Sequence, residues 1–112
     1  MSVSVKVVID GLDALTQATE RRRRQRLYAM HAAHLIKPYV PLEDGALRAS
    51  EPLNSDYDGG VLTWNTPYAA RQYYEPMAHT EPGTEDHWDE AMWRDHSGDM
   101  EEYATDLLMG RA

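Results

Sequence analysis

Two stretches of helical periodicity, one toward each end of the chain, limit most strongly what it can fold into. From Leu12 to Ile36 apolar residues recur at three- and four-residue steps: Leu12, Leu15, Ala18, then Ala29, Ala32, Ala33 and Ile36. Leu27, Met30 and His34 extend that stripe. From Asp86 to Met109 the residues Trp88, Met92, His96, Met100, Tyr103 and Leu107 fall on one line. The first stretch predicts a helix of about 24 residues, ~36 Å long. Pro38 stops it, because the residue before a proline is pushed out of the α region. The second stretch predicts another long helix, and Ser97-Gly98 inside it is a place to bend or break.

The segments around these helices read as strand and turn. "SVSVKVVI", residues 2–9, alternates with Val3, Val5, Val7 and Ile9 on one face, which predicts a β-strand ended by Asp10-Gly11. Residues 38–48 form an irregular connection, with Asp44 able to cap a single turn from Gly45 to Arg48. Residues 49–57 read as extended, with Leu53 and Tyr57 inward and Pro52 confining the strand to an edge. Asp56–Gly60 is a hairpin turn in which Asp58-Gly59 supplies the positive φ angles. Val61–Asn65 is the return strand, with Trp64 as its large aromatic. Thr66 and Pro67 then start a short helix to about Glu75, and Pro76–Glu85 is a polar, mobile loop. The sum is one α+β domain over residues 1–112, a small mostly antiparallel sheet packed against two long helices, in the order β-α-β-β-α-α.

Composition narrows the class. Among 112 residues there is no Cys and no Phe, while Tyr (7) and Trp (3) carry the aromatic weight. The lack of Cys excludes disulfides, thiolate metal sites and a Cys nucleophile. No apolar run approaches the ~18 residues of a membrane span, and "MSVSVKVVID" is not a signal peptide. These features suit the cytosol or an assembly built there. Tyr and Trp are common at contacts between chains.

The net charge of -8 is unevenly spread: residues 1–50 hold eight Lys/Arg against five Asp/Glu, and residues 51–112 hold three against fourteen. Either these are two solvated surfaces, or the chain is complementary to its own copy, head to tail, as in rings and filaments. The basic half contains "RRRRQR", with Arg21, Arg22, Arg23, Arg24 and Arg26 covering more than one helix face. It reads as a solvated face, as a docking surface for an acidic partner or neighbouring subunit, or as a nucleic-acid contact. An acidic chain with no DNA-reading motif disfavours specific recognition, though nonspecific phosphate contact in a channel needs only a local patch.

Signals for catalysis or metal binding are weak. His31 and His34 have an i, i+3 spacing, and His79, Asp86, His87, Asp89 and Glu90 cluster around the start of the last helix. No HExxH or Cys/His pairing accompanies them, and first-turn carboxylates answer the helix dipole. Glu43 and Asp44 are explained by turn and capping roles. Ser50 and Ser55 lack a nucleophile elbow. No cofactor is implied, and the chain reads as a non-enzyme.

One stretch carries more information. In "YVPLEDGALRAS", residues 39–50, the pattern Y-x-P-x-D/E-x-G-x-L-R-x-S places Tyr39, Pro41, Gly45, Leu47, Arg48 and Ser50 after a helix. "N-x-x-Y-A" follows at Asn65, Tyr68 and Ala69, with Tyr73 and Tyr74 nearby, and "H-W-x-x-A" at His87, Trp88 and Ala91 opens the last helix. In this order, over roughly residues 5–108, they resemble the minor capsid proteins of the neck, or head-tail joining, kind in tailed bacteriophages. The family's usual Asp-Thr-Gly is Glu43-Asp44-Gly45 here. The resemblance implies a structural virion protein whose copies form a ring at the head-tail junction, after assembly in the host cytoplasm. Its partners would be its own copies, other neck and tail proteins and, nonspecifically, DNA in the channel, with no membrane. It also implies that residues 39–50 are an architectural joint rather than a catalytic loop. A tail terminator protein, or a small acidic protein-binding module docking a host or toxin partner, are the alternatives.

Overall fold

In a computed structural model the chain is described at residues 2–12, 17–42, 45–75 and 83–111. Strand β1 (Ser2–Lys6) is followed by helix α1 (Ala18–Ile36), a 3-10 turn (Lys37–Tyr39), helix α2 (Ala46–Asn54), strand β2 (Val61–Asn65), helix α3 (Ala69–Tyr74) and helix α4 (Trp88–Leu108). The fold class is α+β, as expected, with a two-stranded antiparallel sheet whose register pairs Val3 with Trp64 and Val5 with Leu62.

The apolar stripes form much of the core, but α1 begins at Ala18 rather than Leu12, is 19 residues long, and leaves Ala18 exposed. Val3, Val7 and Ile9 are buried from the first strand segment, and Ala29, Ala32, Ala33 and Ile36 from α1. The small alanines let α4 lie close, and it contributes Trp88, Met92, Met100 and Leu107. Each large aliphatic or Met side chain buried here is worth roughly 1.5–3 kcal/mol relative to exposure. Met30 and His34 do not join the stripe; both are exposed. They sit at the margin of the face that Ala29, Ala33 and Ile36 already fill. Leu15 lies outside the described residues.

Several expectations are corrected. First, residues 46–54 are helix, so Gly45–Arg48 is not an isolated turn and 49–54 is not an edge strand. Leu53 points to solvent at 84% exposure. Helix wins because Leu47, Ser50 and Glu51 share a buried face, and because side chains take up the last carbonyls. Asn54 Nδ2 donates to Ser50 O at 2.6 Å and Ser55 Oγ to Glu51 O at 2.7 Å. Pro52 sits inside the helix on its exposed side. Only Asp56, bridged to Val61, retains strand pairing before the turn.

Second, the turn closes through Gly60 N to Tyr57 O (3.1 Å), and the positive φ belongs to Gly60 (+71°), not to Asp58-Gly59. Third, Lys37 stays in the α region (φ −48°, ψ −45°) although Pro38 follows. α1 therefore tightens into a 3-10 turn before the chain straightens at Val40. The break predicted near Ser97-Gly98 falls one residue earlier, at His96 (φ −129°, ψ 17°).

Candidate assembly interface

The joint at residues 39–50 is built from side chains that bond to backbone. Arg48 reaches back to the chain leaving α1, donating from Nε to Val40 O (2.8 Å) and from a guanidinium nitrogen to Pro38 O (3.3 Å). It thereby satisfies carbonyls that the end of a helix leaves without partners. Tyr39 anchors the same turn to α4, its hydroxyl donating to Asp95 at 2.7 Å. Pro41 and Leu47 are fully buried. Gly45, at φ +83°, turns the chain into α2 in a conformation that strains any residue with a Cβ.

Two serines of this region close the outer edge of β2. Asn65 N donates to Ser50 Oγ (3.1 Å), and Thr63 N to Ser55 Oγ (2.9 Å). Ser50 Oγ donates onward to Leu47 O (2.7 Å), and Ser55 Oγ also lies 2.7 Å from Glu51 Oε2. Thus alternate outward amides of the strand find hydroxyls instead of a third strand. Glu51, buried, also accepts from the Tyr57 hydroxyl (2.6 Å). Burial and that carboxylate push the Tyr57 pKa up strongly.

The second and third motifs meet in one aromatic row. Ala69 is buried and Tyr68 half-buried at the start of α3. Thr66 O accepts from Ala69 N (3.1 Å), but the N-cap is Tyr68 rather than Thr66, and the helix begins at Ala69 rather than Pro67. Trp64 packs edge-on to Trp88 (ring centroids 5.5 Å apart), Trp88 to Tyr73 (4.9 Å) and Tyr73 to Tyr74 (4.8 Å). His87 starts α4 in the left-handed region (φ 43°, ψ 51°), with its ring against both tyrosines. Tyr73 donates its hydroxyl to Asp89, and burial, with that carboxylate, pushes its pKa up strongly.

The arginine run is divided by the helix. Arg24 turns inward and donates to Leu107 O (2.8 Å) and Leu108 O (3.4 Å), capping the end of α4. Arg26 grips Asp58 with two bonds, 2.6 and 3.1 Å, which holds that carboxylate below its usual range. Arg22 and Arg23 stand outermost, Arg23 at 3.7 Å from Glu20. Arg21, half-buried, lines a shallow groove with Arg22, Val8 and Leu12. Gln25, inside the run, is the residue that sequence reasoning missed. It is buried, accepts from Ile9 N (3.1 Å) and donates to Val7 O (2.9 Å), tying α1 to the end of the first strand. Its only signal was being the one uncharged position among the arginines.

The other polar candidates do not converge. His31 Nε2 lies 2.9 Å from Asp99, and its ring stacks on Tyr103 (4.2 Å), while His34 is exposed. Among the described residues no group of three His, Asp or Glu side chains is placed to hold a metal ion, and no helix is long and apolar enough to cross a membrane. His79, Glu43 and Asp44 lie outside the described residues. Glu85 joins Arg94 (2.7 Å), which also holds Asp95 and keeps that carboxyl well below the usual range. Glu90, Glu101 and Glu102 are exposed on α4, with no ion pair among the described residues.

No curated protein and no solved structure matches the chain. A family model described as minor capsid protein matches residues 3–110, which include the joint, the aromatic row and both long helices. The chain therefore belongs to that minor capsid protein family of phages and is a structural protein of the virion.

Proposed function

We propose that this protein works at the head-tail junction, where its copies form a ring joining the DNA-filled head to the tail. The observation that carries the proposal is the unequal charge exposed on two helices. Arg22 and Arg23 stand outermost on α1, and Glu90, Glu101 and Glu102 stand exposed on α4. Basic and acidic patches on different elements of one chain form a heterologous contact, which closes into a ring when the rotation permits. Complementary patches also steer association and fix register.

The reading is non-enzymatic. It is supported by the occupation of the reactive side chains: Ser50 and Ser55 cap a strand edge, and His31 is stacked and paired. Arg22 and Arg23 face the neighbour's α4 in this reading, rather than DNA, because the acidic surface then has a partner.

Replacing Arg22→Glu together with Arg23→Glu tests it. Both side chains are outermost, so the variant folds. Heads and tails made with it are expected to accumulate unjoined. Normal joining would overturn the assignment of this patch.

A further inference from the structure

The two edges of the β1–β2 sheet are finished differently. In an antiparallel ladder, alternate residues bond to the partner strand and the others aim their N–H and C=O groups outward. Val7 N donates to Gly60 O at 2.7 Å, so in this register Val3 and Val5 also bond toward β2. Ser2, Ser4 and Lys6 of β1, and Val61, Thr63 and Asn65 of β2, therefore point outward. Each outward amide of β2 has an acceptor: Val61 N donates to Asp56 O (2.9 Å), Thr63 N to Ser55 Oγ (2.9 Å) and Asn65 N to Ser50 Oγ (3.1 Å). The outward set of β1 has no such closure. Ser2, Ser4 and Lys6 are exposed, and their backbone groups have no hydrogen-bond partner among the described residues.

An open edge is a template for another strand. Side chains narrow the choice of strand. On the core face Val3 and Val7 are 3% and 2% exposed, whereas Val5 between them is only half-buried. The apolar layer is thus incomplete along this edge, and an incoming strand that sets an apolar residue beside Val5 extends it. The other face carries Ser2, Ser4 and Lys6, a single charge and no Pro. β2 of another copy cannot be the incoming strand, because its outer edge is already taken by Ser50, Ser55 and Asp56. Among the described strands, only β1 of another copy is free to pair.

We infer that β1 pairs antiparallel with β1 of a second copy about a two-fold axis at Ser4, joining the two sheets edge to edge. In this register Ser4 exchanges backbone bonds with its own counterpart, and Ser2 with Lys6. Val5 lies beside Val3 of the copy, so the apolar layers run on from one subunit to the next. All three outward residues of β1 are engaged in both copies. Registers that set the two lysines opposite each other are disfavoured, and a one-residue slip would turn valines to the polar face. The contact is isologous. It uses neither α1 nor α4, so it is separate from the charged ring contact and does not rest on it. It consists of backbone bonds and apolar cover, which salt does not screen. Its small area makes the dimer weak and dependent on protein concentration.

Sedimentation of the full chain in high salt, where contacts between exposed charges are screened, tests this. The wild type is expected to form a dimer whose share grows with protein concentration. Ser4→Pro removes an outward N–H and no bond to β2, and edge strands tolerate proline. Its melting temperature should stay near that of the wild type. Its dimerisation should fall at least about tenfold, because the two-fold axis doubles the loss. Ser4→Ala loses only the exposed hydroxyl bond to Thr63 (2.8 Å) and keeps the dimer. The chain has no native Cys, and directly opposed residues lie within disulfide reach. Ser4→Cys is therefore expected to give a covalent dimer on oxidation, and Thr63→Cys, one strand further from the axis, is not. Equal dimerisation by Ser4→Pro overturns the inference. If that variant fails to fold, the crosslink decides, and its absence overturns the inference. A wild type that forms a ring in low salt and only monomer in high salt overturns this pairing and leaves the ring reading standing. A dimer in high salt with no larger oligomer in low salt supports the pairing and overturns the ring.

Discussion

The joint around residues 38–65 and the last helix are secured by different polar contacts. In the joint, hydroxyls and one guanidinium bond to backbone groups in part-buried or buried settings: Ser50 and Ser55 to β2, and Arg48 to Val40 O. On α4, besides the part-buried bonds from Arg24 and Tyr73, the polar contacts are exposed: Arg94 with Glu85 and Asp95, Arg111 with Asp106, and the His31–Asp99 bond. Exposed pairs contribute little and are screened by salt. A hydroxyl that meets an otherwise unpartnered, part-buried amide depends little on salt concentration. The joint is therefore the frame, and α4, already broken at His96, is the part expected to adjust in the proposed contact with a neighbour.

The largest effect is expected from the frame's apolar anchor. Leu47→Ala empties a fully buried site and should cost about 2–5 kcal/mol, read as a lower midpoint in denaturant. Ser50→Ala removes the acceptor for Asn65 N and should cost about 1 kcal/mol, with little dependence on salt. A loss that shrinks in high salt would erase the contrast between the two regions.

On α4 the sign reverses. Gly98 is exposed in the helix, and an added Cβ meets nothing within 4 Å. Gly98→Ala should therefore stabilise the chain by up to about 1 kcal/mol through helix propensity. If the change also straightens the kink and weakens assembly, adjustability of α4 is the reason the glycine is there.

The pH arms differ as well. Asp58 and Asp95 bind protons less readily folded than unfolded, so what they contribute is present above the ordinary carboxylate value of 3.8 and is lost as pH falls through their lower folded values. This acid effect should be small and salt-sensitive, because both pairs are exposed. Tyr57 and Tyr73 are held neutral by burial and by Glu51 and Asp89. Their contribution is complete below the ordinary tyrosine value of 10.0 and is lost as pH rises through their folded values. Tyrosine absorbance and circular dichroism followed together across alkaline pH should report ionisation of these two only with unfolding.

Much of this was legible in the chain. The apolar stripes marked Ala29, Ala32, Ile36, Trp88, Met92 and Met100 as core, and strict alternation marked β1. Segment 46–54 was misread because Pro52 is a strong local signal against regular structure, whereas the helix is secured by tertiary burial of Leu47 and by serine bonds to a strand that comes later. The arginine run looked uniform because sequence shows charge and not direction. Arg24 and Arg26 are spent within the chain, and that depends on where α4 ends and where Asp58 turns. The motif residues 39–50 were readable as a joint, but the edge-capping role of Ser50 required seeing Asn65 beside it.

The central claim is that this chain builds a ring by pairing its basic face with a neighbour's acidic face. Its molar mass by sedimentation, measured across protein concentration and salt, tests that most directly. The account expects a closed oligomer of defined size at low salt that dissociates as salt rises. A monomer at every concentration and salt would contradict it.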